Sequence, residues 1–276
     1  MLPGCADALT ARLASAAGFE AVYATGAGIA NSLLGQPDVG MTTMTEVLGQ
    51  VERICDAVDV PVVADIDTGF GNAINARRAV RAFERAGVGA VQIEDQVFPK
   101  RCGHFAGKEI VALDEMLGKL QAVLDARRDS GLVVIARTDA LAVEGFDAAV
   151  ERAIAFVEAG ADVIFVEAPT SLETMRALVP LIPAPLVANM VEGGRTPLLS
   201  AAQLGAMGYR IVLFANTALR VAAAASRDAF AELRRTGDAS GLVSRMLSWE
   251  DRQALVGLDE IEALERRYGA ARDRTQ

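Results

Sequence analysis

The chain of 276 residues has one histidine, three cysteines, one tryptophan and 5% aromatic residues. Three thiols at irregular spacing provide neither a disulfide framework nor a zinc pattern, and they fit a reducing, cytoplasmic setting. There is no long basic run, and the net charge is −9. Nucleic acid is therefore excluded as an expected partner, because its phosphates would be repelled. No uncharged apolar run reaches the roughly 18 residues of a membrane span. Met1-Leu2-Pro3-Gly4 lacks the basic-then-apolar pattern of a signal peptide. What remains is a soluble globular chain, 52% hydrophobic and rich in Ala, Val and Gly, a composition suited to helices packed closely on a buried sheet.

Short β-branched runs alternate with longer helical stretches. The expected strands are 1–3, 21–24, 60–65, 90–94, 133–137, 163–167, 186–189 and 210–214. Helical spacing of apolar residues marks 76–86, 115–128, 146–159 and 172–178 between them. Gly18, Gly87, Gly160 and Gly208 sit where left-handed C-caps would end helices before the next strand. Eight strands with intervening helices imply an α/β fold, a (β/α)8 TIM barrel, with a doubly wound open sheet as the alternative. Residues 1–236 would form the barrel. Residues 237–276, after the Gly237–Gly241 break, would be a helical extension that packs on a neighbouring subunit or caps its own barrel.

Barrel chemistry sits at strand C-terminal ends, and here five strands end in polar groups: Asp65 with Asp67, Glu94, Arg137, Glu167 and Asn189. Any one of them reads equally as a helix cap or rim pair; five on one edge read as a site. Asp65, Asp67 and Glu94 offer hard oxygen donors, which favours Mg²⁺, or Mn²⁺, over zinc. The Thr25-Gly26-Ala27-Gly28 loop presents backbone N–H groups to an anion or is a plain turn. Arg195, in Glu192-Gly193-Gly194-Arg195, suits a carboxylate or is a surface charge. Asn72 or Asn75 would cap the helix that follows. Cys5 and Cys55 read as inert packing residues in helical, apolar contexts. In Lys100-Arg101-Cys102-Gly103-His104 a thiol lies among cations and the lone histidine, a setting expected to lower its pKa, unless the segment is a solvated basic loop.

The stretches Leu33-Leu34-Gly35-Gln36-Pro37-Asp38, Asp65-Ile66-Asp67-Thr68-Gly69-Phe70-Gly71-Asn72, Ile93-Glu94-Asp95-Gln96, Lys100-Arg101-Cys102-Gly103-His104, Ala136-Arg137-Thr138-Asp139-Ala140 and Val166-Glu167-Ala168 resemble the isocitrate lyase / phosphoenolpyruvate mutase superfamily. The cysteine loop resembles its carbon–carbon lyase branch, that of 2-methylisocitrate and 2,3-dimethylmalate lyases. The resemblance implies a barrel whose last helix is swapped between subunits of a homotetramer. It implies Mg²⁺ held mainly by Asp65, with Asp38, Asp67 and Glu94 supporting it largely through water. It implies an α-keto acid cradled by Tyr23, Thr25, Gly26, Ala27 and Arg137. Lys100, Arg101, Gly103, Asn189 and Arg195 would complete the substrate site.

The activity so implied is retro-aldol cleavage of a 2-hydroxy di- or tricarboxylic acid to pyruvate or glyoxylate and a carboxylic acid. Cys102 would act as the acid, His104 and Glu167 would orient the loop, and Tyr23 would relay a base. Oxaloacetate decarboxylation or P–C bond chemistry is the alternative, and a catalytically silent binding barrel is a more distant one. Two departures stand out: Thr25 replaces a usual serine, and the Glu192–Pro197 loop is unlike the succinate loop of true isocitrate lyases, which are also much longer chains.

Overall fold

The computed structural model describes residues 1–269. Strands and helices alternate as β1 Leu2–Cys5, α1 Ala8–Ala16, β2 Val22–Ala24, α2 Gly26–Ile29, α3 Met44–Ala57, β3 Val62–Asp65, α4 Ala73–Arg85, β4 Ala90–Glu94 and α5 Leu113–Ala126. They continue as β5 Val133–Thr138, α6 Ala140–Val143, α7 Phe146–Glu158, β6 Val163–Val166, α8 Leu172–Leu181, β7 Leu186–Asn189, α9 Ala201–Met207, β8 Ile211–Phe214 and α10 Thr217–Thr236. The eight strands are all parallel, each beside its sequence neighbour, and β8 pairs with β1 to close the barrel. The expected (β/α)8 barrel is therefore the fold.

Local chemistry sets the boundaries. Pro61 has no N–H to give the ladder, so β3 starts at Val62 rather than Val60. The Pro61 carbonyl still accepts from Val22 N. Gly18, Gly87, Gly160 and Gly208 all have positive φ, as a left-handed helix exit requires. Asn72 caps α4, and Asn75 reaches back to close the capping box. Cys5 corrects one expectation: it ends a strand, not a helix, and lies buried beneath α1.

Two apolar layers follow from strand alternation. Tyr23, Val63, Ala90, Ile135, Val163, Phe165, Val187 and Leu213 fill the barrel. Their neighbours Val22, Ala64, Val91, Val134, Ile164 and Ala188 pack outward against Phe83, Met116, Phe156 and other helix residues.

The chain divides into two compact units, Met1–Arg220 and the residues from Val221 onward. In the second unit the chain leaves α10 at Gly237 (φ 68°). It then forms α11 Trp249–Leu255 and α12 Leu258–Tyr268, neither of which contains a buried residue. No helix among the described residues is long and apolar enough to cross a membrane.

Candidate active site

The two-residue period that fills the barrel also arms its mouth. It carries the chain from Val63 to Asp65, from Ala90 through Gln92 to Glu94, and from Ile135 to Arg137. In the same way it leads from Phe165 to Glu167 and from Val187 to Asn189. A cavity of about 180 Å³ opens there, bounded by Tyr23, Thr25, Ala27, Asp38, Asp65, Lys100, Cys102, Gly103, His104, Arg137, Glu167 and Asn189. All of these are residues the sequence singles out. Gly26 lies just behind the cavity: a Cβ there would stand 2.9 Å from Asp65 Oδ2 and 3.4 Å from Asp67 Oδ1. Glycine thus lets the backbone lie close to the carboxylates.

Arg137 is the electrostatic centre. Its guanidinium lies 3.1 Å from Glu94 Oε2, 3.0 Å from Asp139 Oδ2 and 3.4 Å from Glu167 Oε2, with the Phe165 ring 5.3 Å away. Burial alone would lower its pKa, but Asp139, Glu94 and Glu167 outweigh burial and hold the cation. Asp139 is itself fully buried. Burial pushes its pKa up, Arg137 and Lys108 pull it down, and the net direction is down.

A two-residue period continued past β3 would put Asp65 and Asp67 on one side of an extended chain. Instead the chain turns after Asp65: Asp67 has φ 47°, and its N–H donates to Asp65 Oδ1 at 3.2 Å. A left-handed non-glycine residue is strained. A second, Ala168 (φ 55°), follows Glu167, so strain sits at two of the site's strand ends. Burial pushes Asp67 up to about 6, against the pull of Lys100. Burial likewise raises Glu94 well above the carboxylate range, although Arg137 opposes it.

The cysteine loop differs most from expectation. Lys100 is buried, with Nζ 2.6 Å from Asp38 and 2.8 Å from Asp67. Arg101 is exposed, and its backbone N–H and C=O both pair with the Gln96 side chain. His104 is pushed below its ordinary 6.5, chiefly by burial. The cations expected to acidify Cys102 are therefore spent on aspartates, turned to solvent or neutral. Burial raises the thiol pKa, and the His104 backbone N–H only partly offsets it. The expected lowering is thus corrected to a rise, and a thiol that keeps its proton is suited to act as an acid.

Arg195 also falls outside the cavity. Its side chain is exposed because the loop turns at Gly193 (φ 76°), and it is its backbone N–H that donates to His104 Nδ1 at 3.2 Å. That contact leaves Nε2 to carry the proton, 3.5 Å from Glu167 Oε1. Tyr23 lines the cavity beside Asp65, and burial first, then the Asp65 charge, raise its pKa well above 10. Sequence reasoning missed Phe105, Val191, Gly194 and Asn216, which also line the cavity. It missed Phe165 and Leu213 too, although their inward register marks them. Gly194 fits against His104 with no room for a Cβ, which would lie 2.8 Å from Nδ1.

Among the described residues, no three Asp, Glu, His or Cys side chains converge into a ready-made metal cluster. The donor set nevertheless suits a hard cation. It is all oxygen, and Glu94 Oε1 is buried without a hydrogen-bond partner among the described residues. A divalent cation would also reverse the burial-raised pKa values of Asp67 and Glu94.

Closed barrel, buried guanidinium and carboxylate mouth together define a (β/α)8 enzyme that handles small acids. Comparison with known proteins narrows the class. The chain belongs to the phosphoenolpyruvate phosphomutase family, whose profile matches residues 1–234. It is 46% identical over 270 residues to 2,3-dimethylmalate lyase of Eubacterium barkeri, covering 98% of this chain and 93% of that one. It is 45% identical over 260 residues to 2-methylisocitrate lyase of Aeropyrum pernix, covering 94% and 83%. A crystal structure of 2,3-dimethylmalate lyase superposes with a TM-score of 0.93 at 42% identity, covering 98% and 90%. A phosphonopyruvate hydrolase complex with oxalate and Mg²⁺ superposes at 0.87 and 34% identity, covering 97% and 93%.

Proposed function

We propose that the protein is a carbon–carbon lyase that uses Mg²⁺, or Mn²⁺, to cleave a 2-hydroxy di- or tricarboxylic acid of the 2,3-dimethylmalate or 2-methylisocitrate type. The products are pyruvate, or glyoxylate, and a carboxylic acid. The observation that carries this reading is the shared cavity: Asp65, Arg137 and Glu167 face the same small space as the thiol of Cys102. The lyases at 45–46% identity support it.

Asp65 would hold the metal, with Asp38, Asp67 and Glu94 supporting it largely through water. When bound, the ion supplies positive charge to the oxygens of the keto acid as it forms. Arg137, fixed by three carboxylates, is preorganised to face a substrate carboxylate at no reorganisation cost. Thr25 caps Gly28 N at 3.4 Å, which fixes the start of α2, and Thr25 and Ala27 line the same cavity. The hydroxyl must lose its proton as its carbon becomes a carbonyl, and a cavity carboxylate, reached directly or through the Tyr23 hydroxyl, would take it. The bonding pair moves to the other fragment, an enediolate. The Cys102 S–H, held protonated by burial, delivers a proton to its carbon. Neutral His104 and Glu167 hold the loop and face the departing carboxylate, beside Asn189.

Purified protein with Mg²⁺ should release pyruvate from 2,3-dimethylmalate or 2-methylisocitrate, with propionate or succinate as the second product. Pyruvate from oxaloacetate with CO₂, or from phosphonopyruvate with phosphate, in place of those reactions would overturn the lyase reading in favour of the related chemistries.

A cytoplasmic homotetramer of helix-swapped dimers is part of the same proposal. In the second unit Phe230, Trp249, Ile261 and Tyr268 are more than half exposed. These apolar residues suit a second copy of the chain. Light scattering on the purified protein tests the assembly, and a monomer would refute it.

A further inference from the structure

The cysteine segment has an anchor that the chemistry above does not use. Its base is clasped by antiparallel pairing between Gln96 and Ile110, with Val97 N donating to Glu109 O and Val111 N to Asp95 O. Between these ends the chain runs out over the cavity and back. On its return Lys108 turns inward: its side chain is 2% exposed, and Nζ lies 2.6 Å from Gly103 O and 2.5 Å from Asp139 Oδ1. One ammonium thus joins the backbone between Cys102 and His104 to the carboxylate that also takes two N–H groups of Arg137. Asp139 is itself buried and tethered, its own N–H donating to Asp95 Oδ1 at 2.9 Å.

Gly103 is pressed onto the site floor, since a Cβ there would meet Glu167 Cγ at 2.5 Å and Arg137 at 2.6 Å. Lys100 anchors the start of the segment through buried ion pairs with Asp38 and Asp67. The tip beyond it is tied by the Cys102 N–H to Asp38 O, the paired contacts of Arg101 with Gln96, the Arg195 N–H to His104, and His104 Nε2 at 3.5 Å from Glu167. The Lys108 tie is charged and buried, the kind of hydrogen bond that contributes most and is costly to leave half made.

We propose that Lys108 is a positioning residue, a latch that holds the Cys102–His104 turn down on Arg137 and Glu167. The role in turnover rests on Cys102 being the acid of the lyase reaction; the role in holding the loop does not. Truncation would leave Asp139 paired with Arg137, so the strand-borne site should survive while the loop lifts.

The test is alkylation by iodoacetamide, followed at each cysteine peptide by mass spectrometry, in the wild type, Lys108→Met and Lys108→Arg. In Lys108→Met the Cys102 rate should rise about tenfold to a hundredfold, the equilibrium shift expected for losing one buried charge-assisted hydrogen bond. Half-buried Cys55, on α3, reports general loosening and should keep its rate. Lys108→Arg retains the charge and should return Cys102 toward the wild-type rate. Should the methionine variant fail to fold, Lys108→Gln keeps a donor and should give an intermediate rate. In turnover, Lys108→Met should lower kcat about tenfold or more while KM changes little. An unchanged Cys102 rate, or equal acceleration of Cys102 and Cys55, overturns the latch. A wild-type protein with no lyase activity overturns the function but leaves the alkylation result standing.

Discussion

The floor and the roof of the cavity are built differently. The floor consists of strand ends: Asp65, Arg137 and Glu167 line it, with Glu94 buried against Arg137; all four follow inward-facing barrel positions, and each is less than a tenth exposed. Arg137 has ladder partners on both sides, Asp65 and Glu94 on one, and the Glu167 N–H donates to Thr138 O; Arg137 is also gripped by three carboxylates. The roof consists of loop residues, Cys102, Gly103, His104 and Gly194, held by a few hydrogen bonds that cross long stretches of sequence. Fixed charge therefore resides where the scaffold is stiff, and the transferable proton where the chain can lift. A roof that can lift suits substrate entry and release, whereas preorganised charge acts only if the floor does not move.

The largest test of this division is at the floor. Asp65→Asn should reduce lyase turnover on the order of 10³-fold and weaken Mg²⁺ binding measured by calorimetry. If the variant binds Mg²⁺ as tightly as wild type, Asp65 is not the principal ligand. At the roof, Cys102→Ser should lower kcat by about 10²–10⁴-fold, with Mg²⁺ and pyruvate binding unchanged in the same calorimeter. A serine variant turning over at the wild-type rate would remove Cys102 from the proton transfer and collapse the distinction between the two surfaces.

The floor was legible in the sequence and the roof much less so, for the same physical reason. Each floor residue is fixed by a local period of two along a β-branched run, so Glu94, Arg137, Glu167 and Asn189 could be placed from their own neighbours. Asp67 escaped that logic because its φ of 47° breaks the period. The α2 turn was hidden as well: Gly-Ala-Gly has poor helix propensity. It forms because Thr25 caps it and because Ala6 packs where a Cβ on Gly28 would stand, 3.2 Å away. Roof geometry depends on pairs far apart in the chain. Arg195 and His104 meet across 91 positions, and Lys108 and Asp139 across 31. The Cys102 thiol looked acidic beside its sequence neighbours and is not, because burial by distant segments sets its pKa.

A steric probe sharpens the contact between the two surfaces. Gly103→Ala places a methyl group where Glu167 and Arg137 already stand at about 2.5 Å, and neither of those side chains can move without breaking ion pairs. The loop must lift instead, at an overpacking cost of about 1–3 kcal/mol. Turnover should fall roughly tenfold or somewhat more, while thermal melting of the barrel hardly changes. A melting loss as large as the kinetic one would mean that the loop and the barrel unfold together.

The smallest expected effect is a pH dependence at the roof. The folded pKa of His104 lies below 6.5, chiefly because it is buried, so below pH 6.5 the unfolded chain binds more protons at this residue than the folded one. The stability contributed by neutral His104 is therefore full above about pH 6.5 and is lost as pH falls through the depressed folded value. Protonation would also place the ring's second N–H at Nδ1, directly against the Arg195 N–H that it now accepts. The roof should consequently loosen before the floor as acid is added. Turnover should decline below pH 6.5 while far-ultraviolet circular dichroism of the barrel holds steady. His104→Asn keeps an acceptor for Arg195 N–H but cannot be protonated, so its residual turnover should show a flatter acid limb. An acid limb as steep as that of wild type in this variant would shift the titration to the carboxylates of the floor.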